Sequence, residues 1–210
     1  LQIVAAHTGG GEGFFNGLID LNWTTDGELA CLHDWEGAPV SILKFPDNTV
    51  KSLQIFVELA NQYTPGTPCH LDTLAGWLRS NPGKRIVTDI KERNIAALHL
   101  IHQRHSDLLD LFIPQVYNPA EYFQARAMGF KDVIWTLYRY SGDNEKVLSY
   151  LPSMDLLGLT MDRTRANAGL ARKAFKATGV RSWVHTINTE EEFRHYLNQG
   201  ISSIYTDWLH

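Results

Sequence analysis

Short β-rich apolar runs recur along this 210-residue chain, and helical patterns fill most of the gaps between them. That alternation specifies a parallel sheet with crossover helices, because each strand must be carried back to the same end of the sheet before the next begins. The runs are QIVAA (2–6), LIDLNW (18–23), RIVTDIK (85–91), LFIPQVY (111–117), DVIWTLYR (132–139), LLGLTMD (156–162), RSWVHTIN (181–188) and SSIYTDWL (202–209). Between them, DTLAGWLRSN follows Asp72 as an N-cap and stops at Pro82-Gly83. Residues 94–105 carry Ile95, Leu98 and Ile101 at helical spacing, and Pro119 opens a helix that Gly129 closes. Helices over 143–150, 165–178 and 189–199 complete the set, the last begun by a Thr189/Glu192 capping box. Eight runs with intervening helices point to a single α/β domain over 1–210, a (β/α)8 TIM barrel, although alternation alone also admits an open sheet.

Two stretches depart from the alternation. About sixty residues separate the runs at 18–23 and 85–91, too many for one crossover. This insertion, about 24–68, opens with TTDGELACLHDW, a hairpin turning at Asp26-Gly27. The rest, from Glu36 to Pro68, is expected to form a lid over the strand ends. In the opposite sense, only TGGGEGFFNG lies between His7 and Leu18, too short for a crossover helix. Either the first barrel helix has been lost or the sequence lacks residues there.

The net charge of −4 and the scatter of Lys and Arg exclude a basic stripe for nucleic acid. No apolar run has the length of a membrane span. Cys31 sits in the apolar LACL and reads as a buried thiol; with Cys69 as the other cysteine, the pair defines no disulfide framework. The chain starts at Leu1 without Met, so the cytoplasm and export both stay open. Oligomeric state leaves no signal.

In a (β/α)8 barrel the reactive groups stand at the C-terminal ends of the strands. The first run ends in His7 with Thr8-Gly9-Gly10, the second carries Asp20, His33-Asp34 closes the hairpin, the third ends in Asp89-Ile90-Lys91, and the later runs hold Gln115, His185, Asn188 and Asp207. Carboxylates hold a divalent cation that binds a phosphodiester, lysine adds a point charge toward phosphate, and two histidines divide the proton work. Alternation along a strand puts Asp89 and Lys91 on one side.

These residues resemble the glycerophosphodiester phosphodiesterases. AHTGG is similar to the family's His-Arg-Gly opening, and LIDLNWTTDGELACLHDW to its E-x-D-x-x-x-T-x-D-G…H-D block. DTLAGWL with VTDIK resembles its T-L-x-x-x-L helix and E-x-K strand, and the segment from Ser182 to Asp207 its closing W-T-x-N…T-D. The resemblance implies a (β/α)8 barrel with a small insertion after strand 2. It implies His7 and His33 as the catalytic acid–base pair, Asp20 and Asp89 as ligands of Ca²⁺ or Mg²⁺, and Lys91 as a phosphate contact. Gln115 and His185 are further substrate-binding candidates. The expected reaction is metal-dependent hydrolysis of a small-molecule glycerophosphodiester to an alcohol and glycerol phosphate.

Four positions differ from that pattern: Thr8 stands in place of arginine, Leu18 in place of the first metal glutamate, Asp89 in place of glutamate and His185 in place of tryptophan. Leu18 and Thr8 motivate a second hypothesis, a barrel that binds a phosphorylated ligand without turnover. The same likeness also covers lyase-like relatives that cleave phospholipids to cyclic phosphates. Bland readings stand beside these: Asp89 and Lys91 as an internal ion pair; His70, His99, His102 and His105 as surface; Trp77, Trp135 and Trp183 as core.

Overall fold

The structure, a computed structural model, describes residues 18–206. Seven of the eight expected runs form strands. The eighth, residues 2–6, lies outside the described residues, as do His7, Thr8, the glycines at 9–11, the segment up to Leu18, and Asp207. The described residues fall into two compact units, 18–111 and 112–206.

In the first unit, β1 (Leu18–Trp23) lies between an antiparallel partner, β2 (Leu29–Cys31), and a parallel one, β3 (Ile86–Asp89). The hairpin is made where the sequence placed it. Gly27 takes φ +78, a left-handed conformation that strains any side chain, and Leu21, Asn22 and Trp23 pair with Cys31, Ala30 and Leu29. The insertion then builds its own small core. Helix α1 (Ala38–Ser41) and helix α2 (Leu53–Tyr63) pack Trp35, Leu43, Phe45 and Phe56 against Ala30 and Leu32 of the hairpin. Trp35 and Phe45 both meet Phe56 edge to face, at 6.1 and 5.8 Å between centroids. Asp26 ties the turn to this layer by accepting the Leu53 amide at 3.0 Å.

Cys31 is not a free thiol. It forms a disulfide with Cys69, across a Cα–Cα distance of 5.3 Å. The spacing of two cysteines carries no pairing information, so only the fold reveals that the second hairpin strand meets the start of the next helix. That helix, α3 (Leu71–Ser80), is capped by His70 with Thr73 rather than by Asp72, which instead holds the imidazole of His105 at 2.9 Å. His105, expected at the surface, is buried just past the end of α4 (Asn94–Arg104), and Trp77 is half-buried rather than core.

In the second unit, β4 (Phe112–Val116), β5 (Ile134–Thr136), β6 (Gly158–Met161), β7 (Ser182–Val184) and β8 (Ser203–Ile204) run parallel in chain order. The crossovers are α5 (Pro119–Ala127), α6 (Asn144–Tyr150), α7 (Arg163–Asn167), α8 (Leu170–Thr178) and α9 (Glu190–Leu197). Four of them are capped by a side chain: Asn118, Asp143, Asp162 and, as expected from sequence, Thr189 each accept a first-turn amide. The helix expected over 165–178 is broken at Gly169, at φ +75, into α7 and α8. Gly158 is needed for another reason: the Trp183 ring lies where its Cβ would be. Trp135, fully buried, and Trp183 are core as expected.

Candidate active site

Parallel pairing places Asp20 of β1 directly beside Asp89 of β3. Both are buried, at 5% and 8% exposure, amid strands that are otherwise largely apolar. A buried carboxylate is costly unless a cation or donor meets it. Lys91 meets the first: its Nζ lies 3.1 Å from Asp20 Oδ1. Strand β3 ends at Asp89, so alternation does not extend to Lys91. The lysine reaches Asp20 from the loop beyond the strand, pairing across to β1.

The hairpin brings His33 to the same neighbourhood. The Leu32 amide donates to the Asp20 carbonyl at 3.0 Å, so His33 begins one residue beyond a direct bond to Asp20. Its Nδ1 lies 2.7 Å from Asp34 Oδ2. The other Asp34 oxygen accepts the Gly37 and Ala38 amides at 2.7 and 3.2 Å. The bond to His33, with those two amides, holds the Asp34 carboxyl at about 2 against the opposing effect of burial. An ionised Asp34 only accepts, so Nδ1 of His33 carries a proton, and Nε2 is the nitrogen that can exchange one with a substrate.

Tryptophan carries the loops of this site. The Trp35 indole N–H donates to the Trp23 carbonyl at 2.8 Å, and that of Trp23 to the Glu92 carbonyl at 2.9 Å. Arg93, with φ +50, lays its guanidinium 4.5 Å over the Trp23 ring. These bonds join the end of the hairpin to the end of β1, and β1 to the loop that holds Lys91.

The acids fit a hard cation as a two-carboxylate site. Asp20 Oδ2 is buried and accepts no hydrogen bond among the described residues. Mg²⁺ is commonly held by one or two carboxylates completed by water and substrate phosphate. Leu18 supplies no ligand, and the described residues contain no group of three or more His, Cys, Asp or Glu arranged to hold a metal.

Gln115 and His185 belong to the second unit. Gln115 is buried in β4, and His185 follows β7 with its pKa lowered by burial, so the imidazole is neutral at physiological pH. Tyr117, Tyr138 and Tyr205, each just past a strand end, form a chain of rings with His185: Tyr138 lies 5.6 Å from Tyr117 and 5.9 Å from His185, and Tyr205 lies 6.5 Å from His185. Sequence reasoning passed over these tyrosines, although each stands within or at the end of a recognised run. The Trp23–Arg93 stack left no comparable signal, since Arg93 lies in a loop.

No family model matches the sequence, and no curated protein does. Solved structures do. The chain is similar to a glycerophosphodiester phosphodiesterase from Parabacteroides distasonis, with TM-score 0.66 and 17% identity over 90% of this chain and 78% of that one. It is similar to a glycerophosphoryl diester phosphodiesterase from Agrobacterium tumefaciens described as putative, with TM-score 0.64 and 15% identity over 91% and 81%. An Oleispira antarctica phosphodiesterase, in complex with the product sn-glycerol-3-phosphate, gives TM-score 0.59 and 17% identity over 91% and 80%. At such identities the likeness is one of fold, and it places the chain in the (β/α)8 class expected from the sequence.

Proposed function

We propose that this chain is a phosphoric diester hydrolase that cleaves a glycerophosphodiester to an alcohol and glycerol phosphate. The observation that carries the reading is the pairing of Asp20 with Asp89, with Lys91 and the His33–Asp34 pair fastened to the same strands, in a fold shared with structures described as glycerophosphodiester phosphodiesterases. A bound glycerol phosphate in the Oleispira antarctica structure supports a small-molecule substrate of this class.

In the proposed reaction Asp20 and Asp89 would hold Mg²⁺ or Ca²⁺, which would supply positive charge against the charge that develops on the phosphate. Lys91 adds a second positive charge. His33, kept in one tautomer by Asp34, exchanges a proton through Nε2, and His7 is its proposed partner. One imidazole takes a proton from the attacking water or substrate hydroxyl as the new P–O bond forms. The other delivers a proton to the leaving alkoxide as the old bond breaks. A substrate hydroxyl as nucleophile leads to a cyclic phosphate, whereas water leads directly to the monoester.

The disulfide favours export among the two compartments open from sequence, because such bonds persist in oxidising surroundings. Among the described residues no helix is long and apolar enough to cross a membrane.

The test is hydrolysis of a panel of glycerophosphodiesters followed by ³¹P NMR, with Mg²⁺, with Ca²⁺ and with chelator. Release of glycerol phosphate that depends on the cation is expected, and His33→Ala should lower kcat by about 10²–10⁴-fold. Accumulation of a cyclic phosphate selects the lyase-like reading. Phosphodiester binding without cleavage selects the binding protein. Full activity in folded His33→Ala refutes the assignment of roles.

A further inference from the structure

Two cations have a claim on Asp20. Its Oδ1 already holds the Lys91 ammonium at 3.1 Å, while its buried Oδ2 takes no hydrogen bond among the described residues. The Asp20 side chain is 4% exposed and that of Lys91 26%, so their contact is shielded rather than a solvated surface pair. Asp20, Asp89 and Lys91 sum to a charge of −1, which attracts a divalent cation. With the cation added the sum is +1, which matches the single negative charge of a phosphodiester.

The backbone around Lys91 is fixed on both sides. Ile90 before it is fully buried, and the Glu92 carbonyl after it is held by the Trp23 indole. The side chain itself is a four-carbon stem that ends in a compact point charge with no required plane. An arginine would be committed to a fork geometry on the carboxylate; a lysine can exchange partners.

We propose that Lys91 is the resident counter-ion of the cation site. It neutralises Asp20 when no cation is bound, competes with the cation for that carboxylate, and turns to the substrate phosphate once the cation has taken Asp20. This deepens the proposed function, since it rests on the reading that Asp20 and Asp89 hold a cation. Its consequence is a pair of opposite signs: removing Lys91 strengthens cation binding and weakens phosphate binding. A lysine with only a structural role would weaken both or neither.

The experiment is calorimetric titration of the whole chain with Mg²⁺ and with Ca²⁺ in the absence of substrate, for the wild type, Lys91→Met, Lys91→Gln and Asp20→Asn. Thermal unfolding with and without cation provides a second readout. Lys91→Met should lower the cation Kd about tenfold and raise KM for a glycerophosphodiester about tenfold, while Asp20→Asn should abolish cation binding. Lys91→Gln removes the charge while keeping a polar tip, and should show the same signs if the Met variant folds poorly. Equal or weaker cation affinity in both Lys91 variants overturns the proposal, and so does absence of cation binding in every form. If diesters are hydrolysed while no form binds a cation, the hydrolase reading survives and this inference falls. If the Lys91 variants bind cation more tightly but no form cleaves a diester, the inference survives and the hydrolase reading falls.

Discussion

Asp34→Asn separates chemistry from architecture at the hairpin end. Asparagine keeps a carbonyl oxygen to accept the Gly37 and Ala38 amides, which Asp34 Oδ1 holds at 2.7 and 3.2 Å. It puts an N–H₂ group in place of the oxygen 2.7 Å from His33 Nδ1. The fall of the Asp34 carboxyl from 3.8 to about 2 corresponds to at most ~2.4 kcal/mol. Asp34 is one-third exposed, so solvent screening reduces the retained stability to ~1 kcal/mol. Because the folded value lies below the unfolded one, this contribution is complete above the unfolded carboxyl value and is lost as pH falls through about 2. The Asn variant should therefore unfold about 1 kcal/mol more easily at neutral pH and lack that part of the acid loss. Activity should fall much further. With an amide N–H facing Nδ1, the proton moves to Nε2 and His33 is left in the tautomer that cannot accept one there; the expected loss in kcat is ~10²–10³-fold. Urea unfolding at pH 7 and at pH 2–4, with steady-state hydrolysis, measures both effects. A folded Asp34→Asn protein retaining more than half of wild-type kcat refutes the claim that Asp34 sets the proton position on a catalytic His33.

Two further outcomes concern the scaffold. Cys31→Ser with Cys69→Ser, or reduction of the wild type, releases a loop closed over a sequence separation of 38 and should cost ~4 kcal/mol, an apparent Tm lower by roughly 10 °C. An unchanged melting curve in reductant would mean the bond contributes nothing to the hairpin's hold on α3. Gly158→Ala puts a methyl group into the Trp183 ring and should destabilise by ~1–3 kcal/mol, partly relieved by Trp183→Leu. If the single variant unfolds at the wild-type urea concentration, the packing of Trp183 over β6 is wrong.

What the sequence made legible was periodic or local. The seven described runs became strands because apolar β-branched stretches bounded by turn residues have few other stable fates. Asp26-Gly27, Pro119 and the Thr189 cap acted as expected because a turn or a cap depends on neighbours within four residues, although Glu192 accepts from the Thr189 hydroxyl. Pairings between distant residues were not legible. Cys31 meets Cys69, Asp72 meets His105 and Lys91 meets Asp20 only because folding carries separate elements together. Asp20 and Asp89 were an intermediate case. Their places on two neighbouring runs suggested proximity, but the direct register needed the parallel pairing of β1 and β3. Half of the proposed histidine pair, His7, lies outside the described residues.

The cost of Asp20 itself argues for chemistry over structure. The strand that bears it places Ile19 and Leu21 on either side, and a leucine at position 20 would bury apolar surface without desolvating a charge. Buried ion pairs seldom surpass an apolar replacement of similar volume, because attraction inside the protein must first repay the removal of both charges from water. An acid there, with one oxygen on a lysine and the other left without a hydrogen bond among the described residues, is a poor structural solution. The same arrangement is suited to exchanging an ammonium for a metal ion. The fixed parts around it follow the same logic: Trp23, Trp35 and the disulfide hold the backbone of the hairpin and of the Lys91 loop.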